Sequence, residues 1–102
     1  MHKRTKIVAT LGPDSGQPET ISRLIDAGAD TFRINFSHGS QQDHKLRIDN
    51  VRSVAASKNA YIAILGDLQG PKIRLGELPG GSVHIATGEE VVLSTRETPP
   101  AG

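Results

Sequence analysis

The stretch Thr31-Phe32-Arg33-Ile34-Asn35-Phe36 alternates strictly between polar and apolar side chains. This is the pattern of a β-strand with two different faces, because successive side chains of a strand point to opposite sides. The apolar side chains then face helices, and Arg33 and Asn35 point the other way. Residues 6–11 and 61–65 are apolar runs that end at Gly-Pro and Gly-Asp. Such runs are typical of strands in a parallel sheet that is covered on both faces.

Helical patterns separate these three predicted strands. Pro18 suits the first position of a helix and Gly28 the position after its last turn, so we predict a helix between them. Residues 43–57 predict a second helix. Its apolar stripe consists of Leu46 or Ile48, Val51, Val54 and Ala55. The order strand, helix, strand, helix, strand predicts an α/β fold with a parallel sheet and right-handed crossovers.

The pattern changes after Gly70-Pro71. Short strand-like pieces at residues 72–75, 82–86 and 91–95 are separated by glycine-rich turns, which predicts the opening of an antiparallel β section. Residues 98–102 have the composition of a linker. We therefore place a domain boundary between residues 71 and 72.

Composition excludes several classes of function. The chain has 102 residues, with 12 Lys and Arg against 11 Asp and Glu, so it has no basic excess for binding a nucleic-acid backbone. It has no Cys, which excludes disulfides, thiolate metal sites and cysteine nucleophiles. No run approaches the roughly 20 apolar residues that span a membrane. We expect a cytoplasmic protein without nucleic-acid or membrane partners.

Functional side chains of parallel α/β proteins lie at the carboxyl ends of the strands. Three such ends are predicted here, at residues 10–13, 33–39 and 67–74. A guanidinium at the position of Arg33 requires an anion, because an unpaired charge that is shielded from water is destabilising. A ligand phosphate or carboxylate fits it, and so does a structural ion pair with Asp67. Residue spacing leaves both interpretations open.

Asn35, Ser37 and Asp67 are hard oxygen ligands that can gather around a cation, although Asn and Ser are also common turn formers. His38, next to Gly39, suits a nucleotide contact, a proton shuttle or simply an exposed loop position. There is no glycine-rich phosphate-binding motif, so phosphate binding would depend on side chains. The remaining histidines have no metal-ligand spacing and are predicted on the surface: His2, His44 and His84.

Three motifs together resemble the amino-terminal end of pyruvate kinase. They are TKIVATLGP at residues 5–13, RINFSHG at residues 33–39 and GDLQGPKIR at residues 66–74. The resemblance covers essentially the whole chain, including the spacing between motifs. It implies the first three strands and first two helices of a (β/α)8 TIM barrel, in residues 1–71. Residues 72–102 would be the start of a small inserted β-barrel domain.

The resemblance also implies an activity, the glycolytic transfer of a phosphoryl group from phosphoenolpyruvate to ADP, which gives pyruvate and ATP. Arg33 matches the arginine that holds the phosphate of phosphoenolpyruvate. Asn35, His38 and Arg74 match positions that contact the phosphates of the nucleotide. In the family the catalytic lysine, the ligands of the divalent metal (Mg²⁺ or Mn²⁺) and the proton donor lie farther along the chain.

The resemblance further implies a monovalent-cation site. Its members would be Asn35, Ser37, Asp67 and the backbone carbonyl of Leu68. Potassium-dependent relatives tend to have Thr-Lys in place of Leu68-Gln69 and Glu in place of Lys72. We therefore expect K⁺ to be dispensable, because an ammonium group near the site can supply the positive charge that potassium otherwise brings.

Two hypotheses for the whole chain follow. The first is that residues 1–102 are part of a pyruvate kinase, usually a homotetramer, and are inactive and marginally folded by themselves. The second is a short, self-sufficient α/β module that binds an anionic metabolite or associates with a full-length partner chain through its open sheet edge.

Overall fold

Three short parallel strands form a single sheet in the computed structural model, which describes residues 3–95. They are β1 (Val8–Leu11), β2 (Thr31–Asn35) and β3 (Ala63–Asp67), in the order β1-β2-β3. The central strand pairs on both edges, and its register places Asn35 opposite Asp67. Phe32 and Ile34 are fully buried, as the alternating pattern predicts. The predicted parallel sheet is confirmed.

The third strand lies two residues later than predicted. Tyr61 is fully exposed, and the ladder with β2 instead continues through Gly66 and Asp67. The paired length of β2 determines where β3 ends, and this information is not contained in the local apolar run. As a result, Asp67 belongs to the strand and its side chain has a fixed direction.

The two helices are α1 (Pro18–Ala27) and α2 (Gln41–Ser57). Gly28 ends α1 in the left-handed conformation, with φ of 113°, as its position predicts. Helix α2 begins two residues earlier than predicted, because Ser40 caps it. The Ser40 hydroxyl accepts a hydrogen bond from the Asp43 N–H (3.1 Å), and the Asp43 carboxylate accepts one from the Ser40 N–H (3.0 Å).

The core lies between the sheet and the helices. Leu46 is 60% exposed, whereas Ile48 packs against the core, so the stripe of α2 runs through Ile48. The buried apolar cluster contains Leu11, Ile21, Ala29, Phe32, Ile34, Val51 and Val54.

The expectation of a sheet covered on both faces is wrong within residues 3–95. Val8 and Leu65 are exposed on the face opposite the helices, because no described segment packs there.

The described residues divide into two units, one ending at Lys72 and the other beginning at Ile73. The predicted strands at residues 72–75, 82–86 and 91–95 are wrong for the described chain, where the second unit contains only a 3₁₀ turn at Pro79–Gly81. Alternation is a local signal, but a strand also needs a partner for its backbone hydrogen bonds. Residues 98–102 lie outside the described range. Within that range, neither helix is long and apolar enough to cross a bilayer.

Candidate functional site

Arg33 lies at the carboxyl end of the central strand and bonds to both neighbouring strands. Its Nε donates to Asp67 Oδ2 on β3 at 2.8 Å, and its Nη2 donates to the same oxygen. Its Nη1 lies 3.4 Å from the hydroxyl oxygen of Thr10 on β1. The structural ion pair, one of the two interpretations of Arg33, is therefore present.

This ion pair leaves bonding capacity unused. Both bonds end on Oδ2, so Oδ1 of Asp67 and further N–H groups of Arg33 have no partner among residues 3–95. The two side chains are 31% and 46% exposed. Exposed ion pairs contribute only about 0.2–1 kcal/mol to stability, so an incoming anion can compete for the guanidinium at little cost.

Asn35 and Asp67 form the second part of the site, because the sheet register places them opposite each other. Asn35 Oδ1 accepts a hydrogen bond from the Ser37 N–H at 3.0 Å, which fixes the amide oxygen at the start of the turn. The Phe36 N–H donates to the Asp67 carbonyl at 3.1 Å and ties this turn to β3. Three predicted site residues are thus brought together at one end of the sheet.

The oxygen atoms at this end of the sheet are of the kind that can bind a cation. Amide, hydroxyl, carboxylate and carbonyl oxygens are hard ligands, and Oδ1 of Asp67 is free to bind. Residues 3–95 contain no group of three His, Cys, Asp or Glu side chains that could hold a metal ion. Leu68 and Lys72 follow β3 as exposed residues. Arg74 belongs to the second unit and is exposed there.

The histidines occupy different environments. His38 is exposed on the loop that follows β2, next to Gly39 with φ of 83°. The prediction of a surface position is wrong for His44, which is 4% exposed and packs on the Phe36 ring at a centroid distance of 4.7 Å. The missed signal is helical spacing, because residue 44 precedes Ile48 and Val51 in the buried stripe of α2. His84 is exposed, and His2 lies outside the described residues.

An open groove of about 1000 Å³ runs along the same end of the sheet. It lies between the loop after β1 and the start of α2. The lining includes Thr10, Pro13, Gly16, Asn35, His38 and Arg47.

Two residues of α2 hold the loop after β1. The aliphatic part of the Arg47 side chain crosses Gly16 so closely that a Cβ on Gly16 would lie 2.9 Å from the Arg47 Cγ. Asn50 Nδ2 donates to the Gly16 carbonyl at 2.9 Å. The sequence did not predict these contacts of Arg47 and Asn50, because no local sequence pattern relates the two residues to Gly16.

Two carboxylates in the first unit have lowered pKa values. The Ser40 N–H, and then its hydroxyl, hold the pKa of Asp43 below the ordinary 3.8, with a smaller contribution from the nearby charge of Arg47. The Lys3 ammonium, and then the Ile7 N–H, lower the pKa of Asp30 in the same way. Both carboxylates hold connecting segments through backbone N–H groups, Asp43 at the start of α2 and Asp30 before β2.

Residues 2–100 match the family model described as the barrel domain of pyruvate kinase. The chain belongs to the pyruvate kinase family. It is 50% identical over 91 residues to pyruvate kinase II of Salmonella typhimurium, covering 89% of this chain and 19% of the relative. It is also 50% identical over 94 residues to the pyruvate kinase of Thermococcus litoralis, covering 92% of this chain and 20% of the relative.

A solved structure gives the same result. The crystal structure of Cryptosporidium parvum pyruvate kinase is similar with a TM-score of 0.69 and 38% identity, over 76% of this chain and 16% of that one. The parallel sheet and two helices described above therefore belong to the barrel domain of pyruvate kinase. The chain spans about a fifth of the length of the curated pyruvate kinases it matches.

Proposed function

We propose that residues 1–71 form the first three strands and two helices of a (β/α)8 barrel in a cytoplasmic pyruvate kinase, usually a homotetramer. Residues 72–102 stand at the position of its inserted β domain. The enzyme transfers a phosphoryl group from phosphoenolpyruvate to ADP and produces pyruvate and ATP. Membership of the family and the consecutive parallel strands β1, β2 and β3 support this proposal.

The position of Arg33 carries the proposal. The guanidinium stands at the carboxyl end of the central strand and bonds Asp67 through only one oxygen. Its remaining N–H donors can bind phosphate oxygens of phosphoenolpyruvate. In phosphoryl transfer the protein acts mainly by positioning the groups and stabilising their charge. An arginine fixed between two strands suits both tasks, because its direction is set before the substrate binds.

The nucleotide binds beside this position. Asn35 and His38 line the groove that begins at the same end of the sheet. The family pattern adds Arg74 as a third contact to the nucleotide phosphates. The Asn35 amide and the His38 imidazole would orient the acceptor phosphate toward the phosphoryl group that Arg33 holds, which is the arrangement that in-line transfer requires.

A bound divalent metal, Mg²⁺ or Mn²⁺, would supply the rest of the positive charge beside the phosphates. In the family its ligands, the catalytic lysine and the proton donor belong to parts of pyruvate kinase outside residues 1–102. Asn35, Ser37, Asp67 and the Leu68 carbonyl would hold a monovalent cation. The ammonium of Lys72 makes K⁺ dispensable. Residues 1–102 by themselves are therefore inactive in phosphoryl transfer.

A hybrid enzyme tests the proposal. In it, residues 1–102 replace the matching segment of the Salmonella typhimurium pyruvate kinase II, and phosphoenolpyruvate-dependent ATP formation is measured. We expect activity in the hybrid and a loss of at least about a hundredfold in kcat/KM for phosphoenolpyruvate with Arg33→Ala. The control is Arg52→Ala on the exposed face of α2.

Two results would overturn the proposal. One is a folded hybrid, shown by its circular dichroism and its melting transition, that forms no ATP. The other is equal activity of the Arg33 and Arg52 variants. A hybrid that does not fold is replaced by the corresponding hybrid with the Thermococcus litoralis pyruvate kinase, which is equally similar to the chain.

A further inference from the structure

Two aromatic rings support the loop that connects β2 to α2, residues 36–40. The Phe36 ring packs so closely on β3 that a Cβ at Gly66 would lie 3.1 Å from it. The His44 ring also packs on Phe36, with ring centroids 4.7 Å apart and an interplanar angle of 49°. Because the loop lies between Asn35 and the start of α2, these two rings determine the position of His38 relative to the strand ends.

His44 is more polar than its surroundings require. The side chain is 4% exposed, and its Nδ1 is buried without a hydrogen-bond partner in the described part of the chain. A buried polar atom without a partner destabilises a folded protein, and such an atom in a native structure calls for an explanation. An apolar ring would fill the same space without this penalty.

The loop contains a matching unpaired donor. The N–H groups of Phe36, Ser37, His38 and Ser40 all donate to oxygen atoms. The Gly39 N–H has no acceptor among residues 3–95. Gly39 also lies against the imidazole, because a Cβ at this position would be 3.2 Å from His44 Cε1, the ring carbon between Nδ1 and Nε2. The exposed Gly39 N–H and the buried Nδ1 of His44 thus lie in adjacent groups, and Nδ1 can accept this N–H when the imidazole carries its proton on Nε2.

The geometry points to His44 as a positioning residue for nucleotide binding. When a nucleotide occupies the groove beside His38, the Gly39 N–H donates a hydrogen bond to Nδ1 of His44. This bond draws the loop toward α2. It thereby holds His38, the residue before Gly39, against the ligand. The inference rests on the nucleotide site of the proposed function and assigns to that site a residue that does not itself touch the nucleotide.

This role predicts opposite effects on stability and on function. An apolar ring at position 44 removes the buried unpaired atom, so the melting temperature stays equal or rises. The same change removes the acceptor for Gly39, so the nucleotide binds less well. A purely structural histidine would give effects of the same sign on both properties.

The hybrid enzyme allows this test with His44→Phe and His44→Asn. We expect His44→Phe to raise KM for ADP about fivefold, the effect of one lost hydrogen bond, and to leave kcat and KM for phosphoenolpyruvate unchanged. The side-chain oxygen of Asn takes the place of Nδ1, so His44→Asn restores KM for ADP despite a lower melting temperature. Val54→Ala, at a buried position of α2, is the control that loses stability alone.

A second measurement is the hydrogen exchange of the Gly39 amide. ADP should slow this exchange in the hybrid with His44 and not in His44→Phe. If His44→Phe does not fold, His44→Met replaces it. Equal KM for ADP in all variants, or an ADP effect on Gly39 that is independent of residue 44, would overturn the inference. A hybrid that is inactive before any substitution contradicts the proposed function instead, so the two failures are distinguishable.

Discussion

Arg33 and Asp67 form a diagonal ion pair across the adjacent strands β2 and β3, and two N–H groups of the guanidinium share a single carboxylate oxygen. This arrangement fixes the direction of Arg33 without using all of its donors. The strand pairing sets the distance between the two residues, since Asp67 lies opposite Asn35, two residues beyond Arg33. The ion pair and the ligand interpretation of Arg33 are therefore compatible.

Replacing Asp67 by Asn should change stability little. The pair is partly exposed, so we expect the free energy of unfolding to fall by about 0.2–1 kcal/mol, measured by urea denaturation of the hybrid enzyme. Asn keeps the shape and an acceptor oxygen, and it removes only the charge. A loss of several kcal/mol would show that the pair is a major element of the fold and not a displaceable contact.

Ser40→Ala should destabilise the start of α2 by about 1 kcal/mol, the usual effect of losing an N-cap side chain. The hydroxyl of Ser40 accepts the Asp43 N–H, and Ala leaves this donor without its side-chain partner. The measurement is the urea midpoint of the hybrid. Ser53→Ala, at an exposed position inside the same helix, is the matched control and should leave the midpoint unchanged or raise it slightly, because Ala favours a helix interior more than Ser does.

The lowered pKa values of Asp43 and Asp30 predict a loss of stability in acid. A carboxylate whose pKa is lower in the folded state stabilises the fold fully above its unfolded pKa. The contribution disappears as the pH falls through the folded pKa, here below 3.8. Urea unfolding of the hybrid and of Asp43→Asn should differ by a constant amount above about pH 5, and the difference should shrink below about pH 4. An equal difference at all pH values would contradict this.

Gly16→Ala should strain the contact between the first loop and α2. The new Cβ would lie 2.9 Å from Cγ of Arg47 and 3.3 Å from the Gly12 carbonyl oxygen, so we expect a loss of about 1–3 kcal/mol. Arg47→Ala in the same chain should restore part of this loss, and a double-mutant cycle measures how much. Gly70→Ala is the control, because nothing lies within 4 Å of a Cβ there.

Lys72 should determine the requirement for potassium. We expect the hybrid enzyme to form ATP at a similar rate in potassium-free and potassium-containing buffer. Lys72→Glu should make the rate depend on added K⁺, because it removes the ammonium that we propose as the substitute for potassium and puts a carboxylate in its place. Strong K⁺ dependence of the hybrid before this substitution would contradict the hypothesis.

Most of the first unit could be predicted from the sequence, because local patterns determine it. The alternation in β2 and the Pro and Gly residues that bound α1 correspond to structure that forms within a few residues. The end of β3 could not be predicted, because pairing with Asn35 determines it. The pieces after Lys72 have the local pattern of strands but no described partner, so the pattern alone was misleading.

The candidate site likewise contains residues whose placement the sequence predicts and residues whose placement it does not. Arg33, Asn35 and Asp67 could be predicted to meet, because the ends of adjacent parallel strands lie together. The surroundings of His44 and Arg47 could not be predicted, because they come from contacts with Phe36 and Gly16, which belong to other segments of the fold. The buried position of His44 does have a sequence signal, its spacing from Ile48 and Val51.

The strand order β1-β2-β3 follows the direction in which a ribosome makes the chain. Each strand therefore finds its neighbour already synthesised when it emerges, and each crossover closes over a short length of polypeptide. Arg33 acquires its Asp67 partner as soon as the third strand has left the exit tunnel. The end of the sheet where we propose anion binding can thus assemble early in translation.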